Sequence, residues 1–261
     1  MDVCIFDYDG TLCARTDSSV TTSVVQLLRI LQNDYKLVLA TGRPKSLIPS
    51  IPEFQWDATV YFNGQLCLSG NHIIHQQMLE YMEWREFCQN ALREHVEFLV
   101  FSDMVTAVAP PVCIPLLPEV TGSEIVIGHP LNEPFLYKII TEPSLKVQRL
   151  VNLHMPHAQI MKWHPDFWEI VPKGTDKLTG VAHVLSYLNL RWDNAIVFGD
   201  SGNDLSLFKK AAYAVAIGSK CSDLVRLSTF VAPEVESNGL EWAVRKIMGI
   251  REKQNDDSNC Q

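Results

Sequence analysis

"VCIFDYDGTLC", Val3 to Cys13, is the stretch that decides the fold. Val3 to Phe6 is an unbroken apolar run without polar alternation, the pattern of a strand covered on both faces rather than one. Directly after it come Asp7 and Asp9, with Tyr8 between them, and then Gly10 and Thr11. A central strand therefore delivers two carboxylates to its own carboxyl end. Held about 4 Å apart, two such charges repel by roughly 4 kcal/mol at an effective dielectric near 20. The expectation is that a bound cation offsets that repulsion.

Similar runs recur along the chain. "KLVLA" (36–40), "TVYF" (59–62), "AIVF" (195–198), "YAVAI" (213–217) and "TFVA" (229–232) each end in a polar or glycine-bearing turn. Between them, "SSVTTSVVQLLRILQND" and "GVAHVLSYLNL" repeat apolar residues at steps of three and four, the period of a helix. Such alternation predicts an α/β fold: a doubly wound parallel sheet with helices on both faces. The middle of the chain breaks the rhythm. A long helical segment, "LEYMEWREFCQNALREH", leads into strands "EFLVF", "VTAVA" and "FLYKIIT", a helix "LKVQRLVNLH" and a strand "AQIMKW". The proline-rich "APPVCIPLLPEVTGSE" among them reads as loop. The expected organisation is a core over 1–78 and 169–250, interrupted by an inserted α+β unit over 79–168. The polar tail, 251–261, is expected to fray.

The chain has 261 residues, 47% of them hydrophobic and 20% charged, with a formal net charge of -8. That is enough apolar material for a sizeable core. The acidic balance argues against a nucleic-acid partner, which needs a basic face; a small phosphorylated metabolite needs only a local basic pocket. Seven cysteines, an odd number without a CxxC pair, predict reduced thiols, a cytoplasmic location and no zinc site. No secretory leader is visible, and no apolar run approaches the roughly 18 residues of a membrane span. Oligomeric state has no signature here.

Polar clusters fall at the ends of the predicted strands, where open α/β sheets bind ligands. They are Asp7 to Thr11, then Thr41-Gly42-Arg43, then "GDSGND" from Gly199 to Asp204; a lysine follows the insertion in "VPKGTDKLTG". Carboxylates crowded with a hydroxyl and a lysine suit a hard divalent cation such as Mg2+ together with a phosphoryl group. Thr41, the Gly42 amide and a lysine would hold the transferring oxygens, and an aspartate can itself be the nucleophile. Of the two lysines, Lys173 precedes Gly174 on a turn, whereas Lys177 follows the capping residues Thr175 and Asp176. A first-turn side chain tilts back past the helix start, towards the strand ends. Lys177 is the expected site cation. Each cluster also has a bland reading, as a turn or a capped helix start; it is their joint occurrence in order that points to a site.

The set "FDYDGTL", "LATGRP", a lysine at a helix start and "VFGDSGNDLSLF" resembles the haloacid dehalogenase superfamily. "VYFNGQLCLSG" and "FWEIVPKGTDKLTGVAHVL" resemble the entry to and exit from the α+β cap of its Cof-type branch. The resemblance implies a phosphatase in which Asp7 is the nucleophile and Asp9 the general acid and base. It implies Mg2+ held by Asp7, the Asp9 main-chain carbonyl and Asp200, with Asp204 beside it. Thr41, Gly42 and Lys177 would bind the phosphoryl group, and Asn203 would contact phosphate, a metal-bound water or the lysine. Arg43 fits either substrate contact or a surface ion pair. The implied substrate is a small phosphorylated metabolite, sugar phosphates included. Three rivals stand beside this reading: a trehalose-phosphate-type phosphatase, which "GDSGND" departs from; a phosphomutase; and a binding protein on the same fold. "HIIH" (His72, His75) and "HMPH" (His154, His157) lack partners at zinc spacing. Trp163, Phe167 and Trp168 are expected to pack cap against core.

Overall fold

The computed structural model describes residues 2–15, 19–102, 108–109, 126–162 and 165–259. The chain opens with β1 (Asp2–Phe6), α1 (Thr22–Leu31), β2 (Tyr35–Ala40), β3 (Ala58–Tyr61), β4 (Leu66–Ser69) and β5 (His72–Gln76). It then crosses to α2 (Tyr81–Arg93), β6 (Phe98–Phe101), β7 (Val108–Ala109), β8 (Val126–Ile127), β9 (Lys138–Thr141), α3 (Leu145–His154), β10 (Ala158–Met161) and β11 (Trp168–Pro172). It returns through α4 (Lys177–Tyr187), β12 (Ala195–Gly199), α5 (Leu205–Phe208), β13 (Tyr213–Ile217), α6 (Ser222–Leu227), β14 (Phe230–Ala232) and α7 (Gly239–Asn259).

The first sheet runs β14-β13-β12-β1-β2-β3-β4-β5. All pairs from β14 to β3 are parallel. β1 is central, with Phe6 level with Phe198 on one side and Leu39 on the other. Strand order reverses about it, so the carboxyl ends of β1 and β12 form the crevice where such sheets bind ligands. The sheet's far edge differs from expectation: β4 and β5 add an antiparallel hairpin beyond β3. β4 is buried but only four residues long, and β5 is largely exposed, so the pair lacks the pattern of two buried strands.

Helix faces explain the layers. In α1, Val24, Leu28 and Leu31 are buried, at helical spacing, while Ile30 is exposed. In α4, Gly180 lies so close to the hairpin entry that a Cβ there would stand 2.5 Å from the Gly64 α-carbon. Only glycine lets this helix settle, and its first residue, Lys177, is positioned by that contact. His183 of α4 stacks on His75 of β5 with centroids 4.0 Å apart. Burial first, then the His183 charge, holds His75 below the ordinary histidine range. As the pH falls below about 6.5, the unfolded chain takes up this proton before the folded one does, and stability is lost. The thermal midpoint is therefore expected to drop between about pH 6.5 and 5. His183→Gln should flatten that part of the curve, and an unchanged slope would assign it to other groups.

The second sheet runs β10-β11-β9-β6-β7-β8. Its helices cover one face, where Phe87 of α2 meets Phe98 of β6 edge-on at 6.1 Å. The other face is turned to the first unit: Gln159 Nε2 donates to the Thr175 carbonyl at 3.2 Å. β11 pairs with both β9 and β10, so this sheet runs on to Pro172 rather than stopping at 168. Phe62 stacks on Tyr137 across the boundary at 4.4 Å. Phe167 and Trp168 are partly buried against the core cluster, and the Lys162 ammonium sits over Trp168. Trp163, the 105–107 part of "VTAVA", the 110–124 part of the proline-rich stretch and Cys260 lie outside the described residues. The tail expected to fray is helical as far as Asn259. Among the described residues no helix is long and apolar enough to cross a membrane.

Candidate active site

Asp7 is the first residue beyond β1, anchored by its amide, which donates to the Phe198 carbonyl at 2.9 Å. Its carboxylate is buried and accepts from Lys177 Nζ at 2.6 Å. Lys177 opens α4 behind a capping box, in which Asp176 accepts from the Thr179 amide and Thr179 from the Asp176 amide. The same ammonium donates to Asp204 Oδ1 at 2.7 Å. Asp204 Oδ2 accepts from the amides of Asp200 and Ser201, both at 3.2 Å. One buried ammonium thus joins the strand end to the turn after β12. Lys173, the other candidate, is exposed and donates to the Pro156 carbonyl at 2.5 Å.

Asp200 supplies the third carboxylate. Asp7, Asp200 and Asp204 each place an oxygen within 4.8 Å of the others'. Here the structure shows a residue that sequence reasoning missed. Arg15 donates to Asp200 Oδ2 from Nη2 at 2.5 Å and from Nε at 3.1 Å. Asp200 Oδ1 is buried without a partner. Gly10, at φ +74°, lets Asp200 in: a Cβ there would stand 2.2 Å from Oδ2. A cavity of about 540 Å³ opens beside this carboxylate, with Gly10, Arg15 and Lys220 in its wall.

The chain turns at Gly10, and Asp9 faces Arg43, which clamps it from Nη2 at 2.5 Å and Nε at 2.9 Å while lying over the Tyr8 ring. Asp7, Asp200 and Asp204 crowd together from two strand ends. Burial, then Asp204 and Asp200, push the Asp7 carboxyl well above the ordinary range, against the pull of Lys177. Burial also raises Asp200, and Arg15 opposes it. For Lys177, burial alone would lower the pKa, but Asp204 and Asp7 overcome it and raise it, so the ammonium stays charged. Burial and then Asp9 push Cys13 up to about 12, which keeps the nearest thiol protonated and inert.

The remaining expected residues border this centre. Thr41 ends the β2 side, fully buried, its hydroxyl accepting from the Arg43 amide at 3.0 Å. The Gly42 carbonyl accepts from Lys138 Nζ at 3.3 Å. Asn203 turns from the lysine to Asn63, donating to its Oδ1 at 3.2 Å, and Asn63 in turn donates its amide to the Thr41 carbonyl.

The donor set suits a hard divalent cation, because it is all oxygen and includes one buried acceptor with no partner. Asp7 and Asp200 are the side chains with an oxygen to give; both Asp204 oxygens already have donors. Among the described residues, "HIIH" and "HMPH" gather no such set. His154 and His157 lie against Glu86 and Glu83, and His72 stacks on Tyr187.

The family model for haloacid dehalogenase-like hydrolases matches residues 4–244. The Bacillus subtilis protein named "Putative phosphatase YkrA" is 25% identical over 251 residues, covering 93% of this chain and 96% of that protein. The Streptococcus pyogenes "Putative bifunctional phosphatase/peptidyl-prolyl cis-trans isomerase" is 25% identical over 267 residues. That match takes in 95% of this chain, which spans about half, 54%, of that longer protein. Among solved structures, a sugar phosphatase of HAD subclass IIB superimposes with a TM-score of 0.78 at 21% identity, over 95% of this chain and 99% of that one.

Proposed function

The chain belongs to the haloacid dehalogenase-like hydrolases, and from that membership and its carboxylate site we propose a Mg2+-dependent phosphatase for small phosphorylated metabolites, sugar phosphates among them. The observation that carries it is the buried ammonium of Lys177 shared by Asp7 and Asp204, beside an Asp200 oxygen with no partner. Similarity to named phosphatases, one of them a sugar phosphatase, supports the reaction class.

In this reading the free oxygen of Asp7 attacks phosphorus, the bond to the leaving oxygen breaks, and an aspartyl-phosphate forms. Asp9 delivers a proton to the leaving oxygen, then takes one from the water that attacks the aspartyl-phosphate, so the acid is regenerated with inorganic phosphate. Arg43 must release Asp9 for this, because the carboxyl it clamps is the one that carries the proton. Lys177 keeps Asp7 oriented, with one of its three N–H groups left for a phosphoryl oxygen. Thr41 and the Gly42 amide line the same end of the sheet. Mg2+, when held by Asp7, Asp200 and the Asp9 carbonyl, would supply charge neutralisation between the nucleophile and the phosphoryl oxygens.

Hydrolysis of p-nitrophenyl phosphate is expected to stop in excess chelator, to return with Mg2+ and to return poorly with Ca2+, which takes more ligands at longer distances. Calorimetric Mg2+ titration should weaken at least about tenfold in Asp200→Asn. Full activity in chelator, or unchanged Mg2+ affinity in that variant, would refute the metal assignment.

A further inference from the structure

β5 ends the first sheet, and among the described residues no strand pairs with its free edge. Such an edge is an open row of main-chain donors and acceptors, which proteins blunt with charge, proline, brevity or a bulge. The opposite edge does so: β14 is three residues long and runs directly into Pro233 and Glu234. β5, "HIIHQ", has five residues and neither a proline nor a carboxylate, lysine or arginine. Its one protection is a shift in register that leaves Ile74 without a partner on β4. Ile73 beside it is 51% exposed.

The helix beside this edge shares the property. No Asp, Glu, Lys or Arg stands between Asp57 and Glu80, or between Lys177 and Arg191, in a chain that is 20% charged. The first gap holds β5, and the second holds α4 after its first residue. The exposed residues of α4 are Thr179, Ala182, His183, Ser186 and Tyr187, spaced as one helical stripe. The longer helices elsewhere, α1, α2, α3, α6 and α7, all carry charged side chains. Two ring stacks tie helix to strand: His183 on His75 at 4.0 Å, and Tyr187 on His72 at 5.4 Å. Strand edge and helix stripe therefore form one surface without fixed charge.

We infer that this surface is the interface of a two-fold dimer, in which β5 pairs antiparallel with β5 of a second copy. A two-fold axis normal to the sheet reverses the strand but keeps its face, so the two α4 helices lie on the same side. His183 and Tyr187 already reach over β5, where the second copy's rings arrive. A stable dimer buries about 1,200–2,000 Å² in all. A five-residue edge, about 17 Å long, falls short of that alone, and the helix stripe supplies the rest. Charge selects the occupant. A charged partner would lose its hydration against a surface with no counter-charge to offer, so the matching face must lack charge too. This chain carries such a face itself, and copies with a net charge of -8 repel where their charged surfaces would meet. β5 is four strands from β1, about 19 Å, so the crevice of each copy stays open.

Analytical ultracentrifugation of the full chain tests this. The wild type should sediment at twice the 29.5 kDa protomer mass, with a dissociation constant below about 10 µM. Ala182→Arg and Ile73→Lys each set like charges across the axis and should weaken association by at least about 100-fold, with unchanged far-UV circular dichroism. Leu145→Arg on α3, where Leu145 is 88% exposed beside Lys146, should leave the dimer intact. Amide exchange reads the same interface without substitution. The β5 amides should exchange at least about tenfold faster once dilution has separated the copies. A wild type that is monomeric at about 100 µM, or that grows into open-ended assemblies, would overturn the proposal. So would a dimer that both charge variants leave intact, or β5 exchange that does not change on dilution.

Discussion

Asp7→Asn is expected to lower turnover of p-nitrophenyl phosphate by about 10⁴-fold or more, while the protein melts at or above the wild-type temperature. The amide cannot form the covalent phosphate, so the first step has no nucleophile. Stability moves the other way because the wild-type carboxyl is held above its ordinary range, by burial first and then by Asp204 and Asp200. With a raised folded pKa, the unfolded chain releases its proton first as the pH rises. Ionising this carboxyl as the pH rises therefore costs the folded state stability. Asparagine removes that charge and keeps an oxygen to accept from Lys177, whose 2.6 Å bond can persist. The gain in melting temperature should shrink as the pH is lowered and the wild-type carboxyl takes up its own proton. Turnover within tenfold of wild type would end the nucleophile assignment.

What the sequence made legible was whatever its local pattern encodes. The six parallel strands are short apolar runs that stop abruptly, and each stands where its run predicted. Lys177 was legible because a capping pair fixes the helix start, and the start fixes where the side chain aims. The hairpin of β4 and β5 was not, since a half-exposed edge needs no unbroken apolar run. Charge pairing across the chain was the other blind spot. Arg15 and Asp200 lie 185 positions apart, and no spacing rule links them; the only clue was an arginine just after the turn that delivers Asp7 and Asp9. The pairing of Asp9 with Arg43, 34 positions away, was illegible for the same reason. The ion pair of Lys138 with Glu169 was invisible for a further reason: it depends on the pairing of β9 with β11, which the segments alone do not set.

Lys177→Ala is expected to cost both turnover and stability, and Lys173→Ala neither. Lys177 is buried and its ammonium is the shared counter-ion of Asp7 and Asp204. Removing one member of a buried charge pair costs about 3–5 kcal/mol, because the partners are left charged in a poor solvent. Here two carboxylates lose the same cation, and Asp200 adds its own charge close by. The loss in stability should ease as the pH is lowered, since protonating the stranded carboxyls removes the cause. Turnover should fall by at least about 10³-fold on the folded protein, because the nucleophile loses its orienting donor and the phosphoryl oxygens lose a positive charge. Lys173 gives a matched control. It is exposed, its ammonium meets only a main-chain carbonyl, and its loss should stay within about 0.5 kcal/mol and a few-fold in kcat. Denaturation midpoints at pH 7 and pH 5, with kcat measured below each midpoint, separate the two effects. Normal turnover in Lys177→Ala, or a larger loss in Lys173→Ala, would show that the cation serving the phosphoryl group comes from elsewhere on the chain.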